Sequence, residues 1–315
     1  MISIGTWNLE NLFRPGGDGP KTSADYTAKI EALRATIAGI NPDVLAVQEV
    51  GDPEALNDLA DALGEPWKAT VSAHHDQRGI RVGFLSRHAL TPVGDDITLP
   101  DALAPIQVAD PPADLSHELG RGALTVTVEP AAGVVLTLIT CHFKSKLLTF
   151  PGGQFGTHDE GQRARYGAYA LYRRTAEAVA VRELATAALA AGHDQRVIVL
   201  GDLNDEPTAA TTQILQGPTG SEIGTAGFDH PDHGDQQRLW NLAPCIPADQ
   251  RYSRIYRGRR ELIDHIFASH ALLSPLPQVC TVHSDVLPSI TDTPTTHGAT
   301  SGSDHSPVVA TFNIG

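Results

Sequence analysis

The chain is predicted to fold as one α/β domain in which short apolar strands alternate with helices. Eight short apolar runs, each bounded by turn-forming residues, are typical of β-strands. Two segments between them carry apolar residues at helical spacing. In addition, 41% of the 315 residues are hydrophobic and 19% are charged, which is the profile of a compact globular protein with a sizeable core.

The predicted strands combine branched and aromatic side chains and are flanked by glycine, proline, asparagine or aspartate. Several strands are apolar at successive positions, which indicates that other layers cover both of their faces. The strands span residues 2–7, 43–49, 80–86, 123–129, 134–143, 197–200, 262–268 and 306–314.

The first predicted helix covers residues 24–39. Ile30, Leu33 and Ile37 recur there at helical spacing, and a glycine and a nearby proline end the pattern. This spacing places one apolar stripe against the core.

The second predicted helix covers residues 161–191. Asp159, with Gln162 three residues later, is interpreted as the N-terminal cap of this helix rather than as a catalytic acid. The predicted core-facing stripe consists of Ala176, Val179, Ala180, Leu184, Ala187 and Ala188.

Two longer irregular segments, residues 144–160 and 284–303, interrupt the alternation of strands and helices. The second is rich in Pro, Thr, Ser and Gly. Long loops inside a compact domain are usually functional or mobile. Neither segment resembles a linker between domains, so we predict a single domain over residues 1–315.

The chain carries a formal net charge of −14, with 23 basic and 37 acidic residues. Proteins that coat nucleic acid usually have a basic surface for the phosphates. The charge therefore excludes a general nucleic-acid-coating protein, and any polyanionic substrate must be held by a local patch.

Three cysteines, Cys141, Cys245 and Cys280, predict free thiols rather than a disulfide framework. The N-terminus lacks the basic and apolar segments of a secretory signal, and no span approaches the ~18 apolar residues of a membrane helix. We expect a soluble, cytoplasmic protein without membrane insertion, although a signal removed from the chain would leave the same sequence.

Polar side chains lie near the ends of six predicted strands. Asn8 and Glu10 are two residues apart, which places them on one face if the strand is regular. Asn and Asp after a strand are usually turn residues. Asp264, however, interrupts an apolar run, and a buried carboxylate needs an imidazole or a cation as partner. The other polar residues near the strand ends are Glu49, His142, Asp202, Asn204, Asp304 and His305.

Together these groups suit metal-assisted hydrolysis of a phosphoester. Mg²⁺ prefers oxygen ligands, typically one or two carboxylates together with phosphate oxygens and water, and Glu49, Glu10 and Asp304 can supply the carboxylates. The histidines and a further carboxylate can transfer protons. The amides of Asn8 and Asn204 can donate hydrogen bonds to a phosphoryl group.

Other hydrolytic schemes fit this sequence less well. A zinc site requires closely spaced His or Cys ligands, and Cys141 beside His142 is not such a pattern. The sequence contains neither a GxSxG elbow nor a Walker-type glycine loop. The segment DHPDHGD, residues 229–235, offers possible ligands for a second metal, but its Pro and Gly favour an exposed loop.

Six motifs of the chain resemble those of the endonuclease/exonuclease/phosphatase superfamily. That superfamily includes pancreatic-type deoxyribonucleases, abasic-site endonucleases, neutral sphingomyelinases and inositol-polyphosphate phosphatases. The motifs, in the order of the family, are TWNLENL, DVLAVQEV, HFKSK, GDLNDEP, IDHIF and SDHSPVVATF, and they extend from residue 6 to residue 312. The resemblance implies a four-layered α/β sandwich, with two mixed β-sheets packed face to face, helices outside, and the active site at one end of the sheets.

The resemblance also implies a metal site. Glu49 resembles the principal metal ligand of the family, with Glu10, Asp304 and Asn8 nearby. Some members carry Asp where this chain has Glu10, and the longer side chain changes the reach of that ligand. The implied cofactor is Mg²⁺ or Mn²⁺.

For catalysis, Asp202 resembles the residue that orients or deprotonates the attacking water, and Asn204 resembles a hydrogen-bond donor to the phosphate. His305 resembles the histidine that contacts the scissile phosphate, with Asp264 as its carboxylate partner. His142 occupies the position of a second histidine in deoxyribonuclease-like and sphingomyelinase-like members. Because abasic-site endonucleases carry tyrosine there, that branch is disfavoured.

One position departs from the family pattern. Many relatives carry an acid just before Val82, where this chain has Arg81. If that acid normally supports the histidine at position 142, the role of His142 is in question in this chain.

The leading prediction is that the protein is a Mg²⁺- or Mn²⁺-dependent phosphodiesterase, an endonuclease that cleaves DNA by in-line attack of water on phosphorus. The HFKSK motif, which recurs in bacterial nuclease-like members, favours DNA. The cations Lys144, Lys146, Arg121 and Arg251 are predicted to attract the substrate. Lys144 and Lys146 share a face with His142 if the strand continues that far.

Two alternatives stay open. The acidic charge favours a phosphatase or phosphodiesterase for a small molecule or lipid headgroup, and LLTF at 147–150 is the one short apolar candidate for a lipid contact. A catalytically silent binding module is disfavoured because every expected metal and phosphate position is filled. The sequence predicts no protein partner.

Overall fold

The computed structural model describes residues 1–112, 115–230, 232–283, 287, 289–290 and 302–314. The irregular segment predicted at 284–303 therefore lies mostly outside the described residues. The strands are β1 (Ile2–Leu12), β2 (Val44–Val50), β3 (Lys68–Val71), β4 (Arg81–Ser86), β5 (Leu90–Thr98), β6 (Ile106–Gln107), β7 (Leu115–Ser116), β8 (Glu118–Ala131), β9 (Val134–His142), β10 (Val197–Asp202), β11 (Leu239–Asn241), β12 (Arg254–Tyr256), β13 (Arg259–Glu261), β14 (Asp264–Ser269), β15 (Gln278–Thr281), β16 (Ser289–Ile290) and β17 (Val308–Phe312). The helices are α1 (Ser23–Ile40), α2 (Pro53–Leu63), α3 (Glu160–Leu189) and α4 (Ala210–Gln213).

Two six-stranded mixed sheets form the centre of the molecule. The first has the order β15-β17-β1-β2-β4-β3, and only β1 and β2 run parallel. The second has the order β11-β14-β10-β9-β8-β5, and only β9 and β10 run parallel. The predicted sandwich of two mixed sheets is confirmed. A small sheet of order β13-β12-β16 lies beside them.

Alternation along the strands produces four layers. Ile4, Ala46 and Leu200 belong to a core cluster between the two sheets. On the outer face of the first sheet, Leu45 and Val47 join a cluster with residues of α1 and α2. On the outer face of the second sheet, residues of β9 and β10 join a cluster with α3. Both faces of the central strands are covered, which explains their nearly continuous apolar runs.

The helix α1 begins and ends with polar caps. Thr22 accepts a hydrogen bond from the backbone N–H of Asp25, and Asn41 adopts a left-handed conformation with φ 53°. The helix therefore ends one residue beyond the predicted Gly39, because Asn tolerates the left-handed cap. Its buried side chains are Lys29, Leu33 and Ile37, whereas Ile30 is only half-buried.

The helix α3 confirms the predicted cap but not the predicted stripe. The Asp159 carboxylate accepts hydrogen bonds from the backbone of Gly161 and Gln162. Ala176 and Ala180 are buried as predicted, but Ala187 is exposed. The buried face includes Arg174 and Glu177, whose polar groups find partners in the fold. The predicted stripe passed through apolar residues alone and is therefore rotated relative to the face that is buried.

The sheet register brings the polar strand ends together. Asp202, the last residue of β10, is the direct partner of both His142, at the end of β9, and Asp264, at the start of β14. Asp202 lies two residues after Leu200, whose side chain faces the inter-sheet core, so it faces the same gap. Asn8 of β1 follows Ile4 at an even spacing and faces this gap from the other sheet.

Among the described residues, no helix is long and apolar enough to cross a membrane. The three cysteines are free, as predicted.

Candidate active site

The backbone turns left-handed where the site begins. Glu10, Asn11, Glu49 and Asn204 have φ values of 49°, 54°, 59° and 53°. Such conformations are uncommon for residues other than glycine and cluster at functional sites. The pairing of β1 with β2 shifts register after Asn8, so the expectation that Asn8 and Glu10 share a regular strand face is wrong. Instead, the Asn8 side chain accepts a hydrogen bond from the Glu10 backbone, at 2.9 Å.

Asp202 is the most fully engaged carboxylate of the site. Its Oδ2 accepts from Asn8 Nδ2 at 3.0 Å and lies 3.3 Å from His142 Nε2, while Oδ1 accepts from the Asn204 backbone at 2.8 Å. Burial opposes its ionisation, but the charges of His142 and His305 and hydrogen bonds from His142 and Asn8 hold the pKa of Asp202 below its usual range. Asp202 is therefore an ionised carboxylate in a buried site.

Gly201 permits the approach of β10 to β9 just before Asp202. Its φ is +156°, and a Cβ atom built there would collide with the carbonyl oxygen of Cys141. The glycine of the GDLN motif thus has a packing cause that is independent of the chemistry.

His305 and Asp264 form a buried pair. His305 Nδ1 lies 2.7 Å from Asp264 Oδ2, and Asp264 is fully buried. The His305 carbonyl accepts from Trp7 Nε1 at 2.8 Å, which fixes the backbone of the SDH motif against β1. Burial lowers the pKa of His305, but the Asp264 and Asp304 carboxylates outweigh it and raise this pKa to about 10. The imidazole is therefore held as a cation, and its Nε2 lies 3.9 Å from Asp304 Oδ1.

Three further carboxylates form an acidic group on the other side of Asn8. Glu10 Oε2 accepts from the Asp304 backbone at 2.9 Å. Glu49 accepts from Asn8 Nδ2 at 3.3 Å and from the Asn11 backbone at 2.9 Å. Burial and the nearby charges of Asp304 and Glu49 raise the pKa of Glu10 to about 7. The charge of Lys29 opposes this shift without cancelling it.

Lys29 is a member of this region that the sequence patterns missed. It lies on α1, is buried, and donates from Nζ to the Gly302 carbonyl at 2.8 Å. Burial lowers the pKa of Lys29, while the charges of Glu10, Asp304 and Glu49 oppose that shift. A signal existed, because Lys29, Leu33 and Ile37 are spaced four residues apart on one helix face.

Two groups of side chains have the composition of a metal site. Among the described residues, Asp202, Asp264 and His305 each offer a ligand atom within 4.8 Å of the others. Glu10, Glu49 and Asp304 offer the carboxylates that were predicted. Among the described residues the first group alone meets that distance, whereas the second group offers the oxygen donors that Mg²⁺ prefers.

The departure at Arg81 has a structural counterpart at His142. Arg81 donates to the carbonyls of Gly51 and Gly79, both at 2.7 Å. Within the described part of the chain, His142 Nδ1 is buried without a hydrogen-bond partner. His142 is thus oriented through its contact with Asp202 and not by an acid on its other nitrogen.

The predicted substrate cations divide into two groups. Arg121 lies close to the site: it bonds Asp76 at 3.0 Å and the Phe143 carbonyl at 3.2 Å, and its charge lowers the pKa of Glu49. Arg251 is placed elsewhere, and its guanidinium donates to the carbonyls of Ile246 and Pro244.

The expectation that Lys144 and Lys146 continue the strand of His142 is wrong, because β9 ends at His142. Lys144 Nζ folds back onto the Leu147 carbonyl at 2.7 Å, and Lys146 Nζ lies 3.1 Å from Asp205. Burial and the nearby Arg121 charge lower the pKa of Lys144 to about 8.

Asp205 supports the site from outside. Its Oδ2 accepts from Arg174 Nε at 2.9 Å and from Thr211 Oγ1 at 2.7 Å. Its backbone carbonyl bonds the buried His265 ring at 2.8 Å. An Asp that follows a strand is usually a turn residue, but Asp205 is buried and ties α3 to the loop after β10.

The segment 229–235 shows no metal geometry in its described residues. Arg238 pairs with both Asp232 and Asp235. These ion pairs account for the two acids without a metal, but Asp235 is buried, so the prediction of an exposed loop is correct only in part.

Comparison of the sequence with known protein families finds a match to the one described as "Endonuclease/Exonuclease/phosphatase family", over residues 5–305. No curated protein sequence matches the chain. Among solved structures, D. rerio TDP2 complexed with single strand DNA product is 17% identical with a TM-score of 0.55, covering 99% of this chain and 98% of that one. The human Nocturnin catalytic domain with bound sulfate is 17% identical with a TM-score of 0.57, covering 99% and 94%. The Bacteroides thetaiotaomicron mannosyl-6-phosphatase is 15% identical with a TM-score of 0.58, covering 99% and 100%.

Proposed function

Because the chain belongs to the endonuclease/exonuclease/phosphatase family, we propose that it is a Mg²⁺- or Mn²⁺-dependent phosphodiesterase that cleaves DNA as an endonuclease. Members of this family are metal-dependent hydrolases of phosphoesters. We propose DNA as the substrate, Mg²⁺ or Mn²⁺ as the metal, and cleavage within the strand.

The observation that carries the proposal is the position of Asp202 relative to His305. An oxygen of Asp202 and a ring nitrogen of His305 lie within 4.8 Å of each other in a buried site. One oxygen atom placed between Asp202 and His305 could bond to both side chains, because two hydrogen bonds of about 2.8 Å span a gap of that size. This spacing supports a mechanism in which Asp202 accepts a hydrogen bond from the attacking water while His305 donates to a neighbouring phosphoryl oxygen.

The residues around this pair supply the remaining roles. The imidazolium of His305, held by Asp264, offsets charge on the phosphoryl group through Nε2. Asn8 positions the Asp202 carboxylate, so that the carboxylate does not reorganise during proton transfer. One N–H of the Asn204 amide bonds the Phe143 carbonyl at 3.0 Å, and we assign the other N–H to a hydrogen bond with the phosphate. His142 acts as the acid for the leaving oxygen or as a phosphate contact.

Glu10, Glu49 and Asp304 are the residues that would hold the divalent cation. Their oxygen donors suit Mg²⁺ or Mn²⁺, and the charges of Asp304 and Glu49 add to burial in raising the pKa of Glu10. When bound there, the cation would offset negative charge on the phosphoryl oxygens.

DNA is favoured as substrate by the HFKSK motif and by the similar fold of D. rerio TDP2, which is complexed with a single-strand DNA product. A small phosphoester or lipid headgroup is the second candidate, favoured by the net charge of −14 and by the fold of a mannosyl-6-phosphatase. A lipid contact through residues 147–150 has less support, because Phe150 is buried against Tyr166 with ring centroids 5.1 Å apart.

The test is a cleavage assay on supercoiled plasmid, linear DNA and RNA with Mg²⁺, Mn²⁺ or EDTA. A phosphomonoester and a small phosphodiester are assayed in parallel. Metal-dependent nicking of the plasmid, abolished by His305→Ala and Asp202→Ala, is expected. The matched controls are His117→Gln and Asp194→Asn, which are exposed and are not among the residues assigned to the site, and they should cleave normally. Hydrolysis of the monoester alone would replace the nuclease by a phosphatase.

A further inference from the structure

The hairpin of β12 and β13 concentrates positive charge on an acidic protein. Residues 251–260 read RYSRIYRGRR, with five arginines, two tyrosines and no acid. The whole chain, by contrast, has 23 basic and 37 acidic residues. A local patch of this kind is what an acidic protein needs in order to hold a polyanion.

The first residue of β12 lies beside His305. Arg254 and His305 form an antiparallel bridge, and the neighbouring Ser306 N–H donates to the Ser253 carbonyl at 2.7 Å. Directly opposed residues in an antiparallel pair point to the same face. The Arg254 side chain therefore shares the face of His305. Within the described residues, its Nε is buried and has no hydrogen-bond partner.

The strand register extends this face away from His305. Tyr256 lies two residues beyond Arg254 and opposes Arg259, so all three side chains point to one side. The guanidinium groups of Arg254 and Arg257 lie 5.3 Å and 5.6 Å from the centre of the Tyr256 ring. Glu261, which opposes Arg254, is the acid on this side. We name Arg254, Tyr256 and Arg259 the hairpin face.

The other side of the same hairpin provides an internal comparison. Arg260 opposes Ile255 and therefore points away from the hairpin face. Its guanidinium lies 4.4 Å from the centre of the Tyr252 ring, which stacks on His283 at 3.8 Å.

We propose that the hairpin face binds a single-stranded nucleic acid beside the scissile phosphate, an inference that rests on the proposed nuclease function. Arg254 and Arg259 contact consecutive backbone phosphates, and Tyr256 stacks on an unpaired base. Alternating arginine and aromatic side chains suit single strands, whose bases expose their faces, and not duplexes, whose bases are stacked inside.

The test measures binding of a single-stranded oligodeoxynucleotide to the full chain in EDTA, where cleavage is off. Arg254→Gln and Arg259→Gln should each weaken binding about tenfold and reduce the salt dependence of log K by about 0.7, the value for one lost phosphate contact on a single strand. Tyr256→Leu should weaken binding at least about fivefold without changing the salt dependence. Glu261→Gln should tighten binding. Arg260→Gln, with the same loss of charge on the opposite side, should bind as the wild type does.

The inference is overturned if the wild type does not bind the oligonucleotide, if it prefers the matching duplex, or if Arg260→Gln loses as much affinity as Arg254→Gln. Melting temperatures of all variants identify any that fail to fold, and Arg259→Gln at the exposed end of the hairpin keeps the test decisive if Arg254→Gln is unfolded. Hydrolysis of plasmid and of a small phosphodiester in Mg²⁺ is measured separately. If the wild type cleaves DNA but the hairpin variants bind the oligonucleotide as the wild type does, only the hairpin inference is overturned. If no phosphodiester is hydrolysed at all, the proposed function is overturned.

Discussion

His142 Nε2 lies 3.3 Å from Asp202 Oδ2, and the other nitrogen of the same ring is buried without a hydrogen-bond partner among the residues that the structure describes. The two side chains come from adjacent parallel strands in direct register. His142 therefore depends on Asp202 for its orientation, and the proposed water-orienting carboxylate depends on His142 for its charge balance.

We expect His142→Gln to lower kcat for DNA cleavage about 100-fold, because positioned acid–base groups contribute at least that much. His142→Ala should be no better. Arg81→Gln should stay within about fivefold of wild type, because Arg81 bonds backbone carbonyls and not His142. Steady-state cleavage rates check this, and a His142→Gln enzyme with wild-type kcat would remove His142 from the chemistry.

The Asp264–His305 pair should set the alkaline limit of activity. Asp264 and Asp304 raise the pKa of His305 to about 10, so the imidazole stays protonated well above neutral pH. Asp264→Asn removes the closest of these charges and should move the alkaline limb of the kcat/KM profile to lower pH, with an activity loss of about 100-fold at pH 8. An unshifted limb would show that another group controls it.

Lys29→Met should destabilise the protein most strongly in the absence of a divalent cation. The ammonium offsets the charges of Glu10, Glu49 and Asp304, so its loss should cost about 1–3 kcal/mol in EDTA. Added Mg²⁺ should reduce that deficit, because it supplies the missing positive charge. Thermal unfolding with and without Mg²⁺ checks this, with exposed Lys21→Met as control. Equal stabilities in EDTA would contradict the role of Lys29.

Asp205→Asn should lower the free energy of unfolding by about 2–4 kcal/mol, because it leaves the buried guanidinium of Arg174 without its charged partner. The neighbouring Glu206→Gln, at a less buried position, should change stability by less than about 0.5 kcal/mol. Urea unfolding of both variants decides between this structural role and a simple turn. Wild-type stability of Asp205→Asn would restore the turn interpretation.

His265 should make the fold sensitive to mild acid. Burial lowers the pKa of His265 to about 4 from its usual value of 6.5, so the native state keeps it neutral while the unfolded chain binds a proton. Stability from this group is present above pH 6.5 and is lost as the pH falls through 4. The expected loss between pH 7 and pH 5 is about 2 kcal/mol. His265→Gln should lack this component, which urea unfolding at both pH values can measure; equal slopes for the two proteins would exclude it.

Local sequence patterns predicted much of the scaffold. The main strands appear where apolar runs were bounded by turn residues, and Asp159 caps α3 as its spacing indicated. The pattern failed where polar residues are buried, as at Lys29, Arg174 and Glu177. Apolar periodicity cannot detect a residue whose burial is made possible by a partner far away in the chain.

The sequence by itself determined which residues we propose for the chemistry, because acids, amides and imidazoles stand at strand ends and their motifs resemble one family. Only the tertiary structure decided which of them meet. The sheet register sets Asp202 beside His142 and Asp264, and the packing of two sheets brings Asn8 within 3.0 Å of Asp202, 194 residues away. It also placed Arg254 on the face of His305 and turned Lys144 back onto its own loop. Spacing along the chain fixes side-chain direction within one strand, but distances between strands depend on register and layer packing, which are properties of the whole fold.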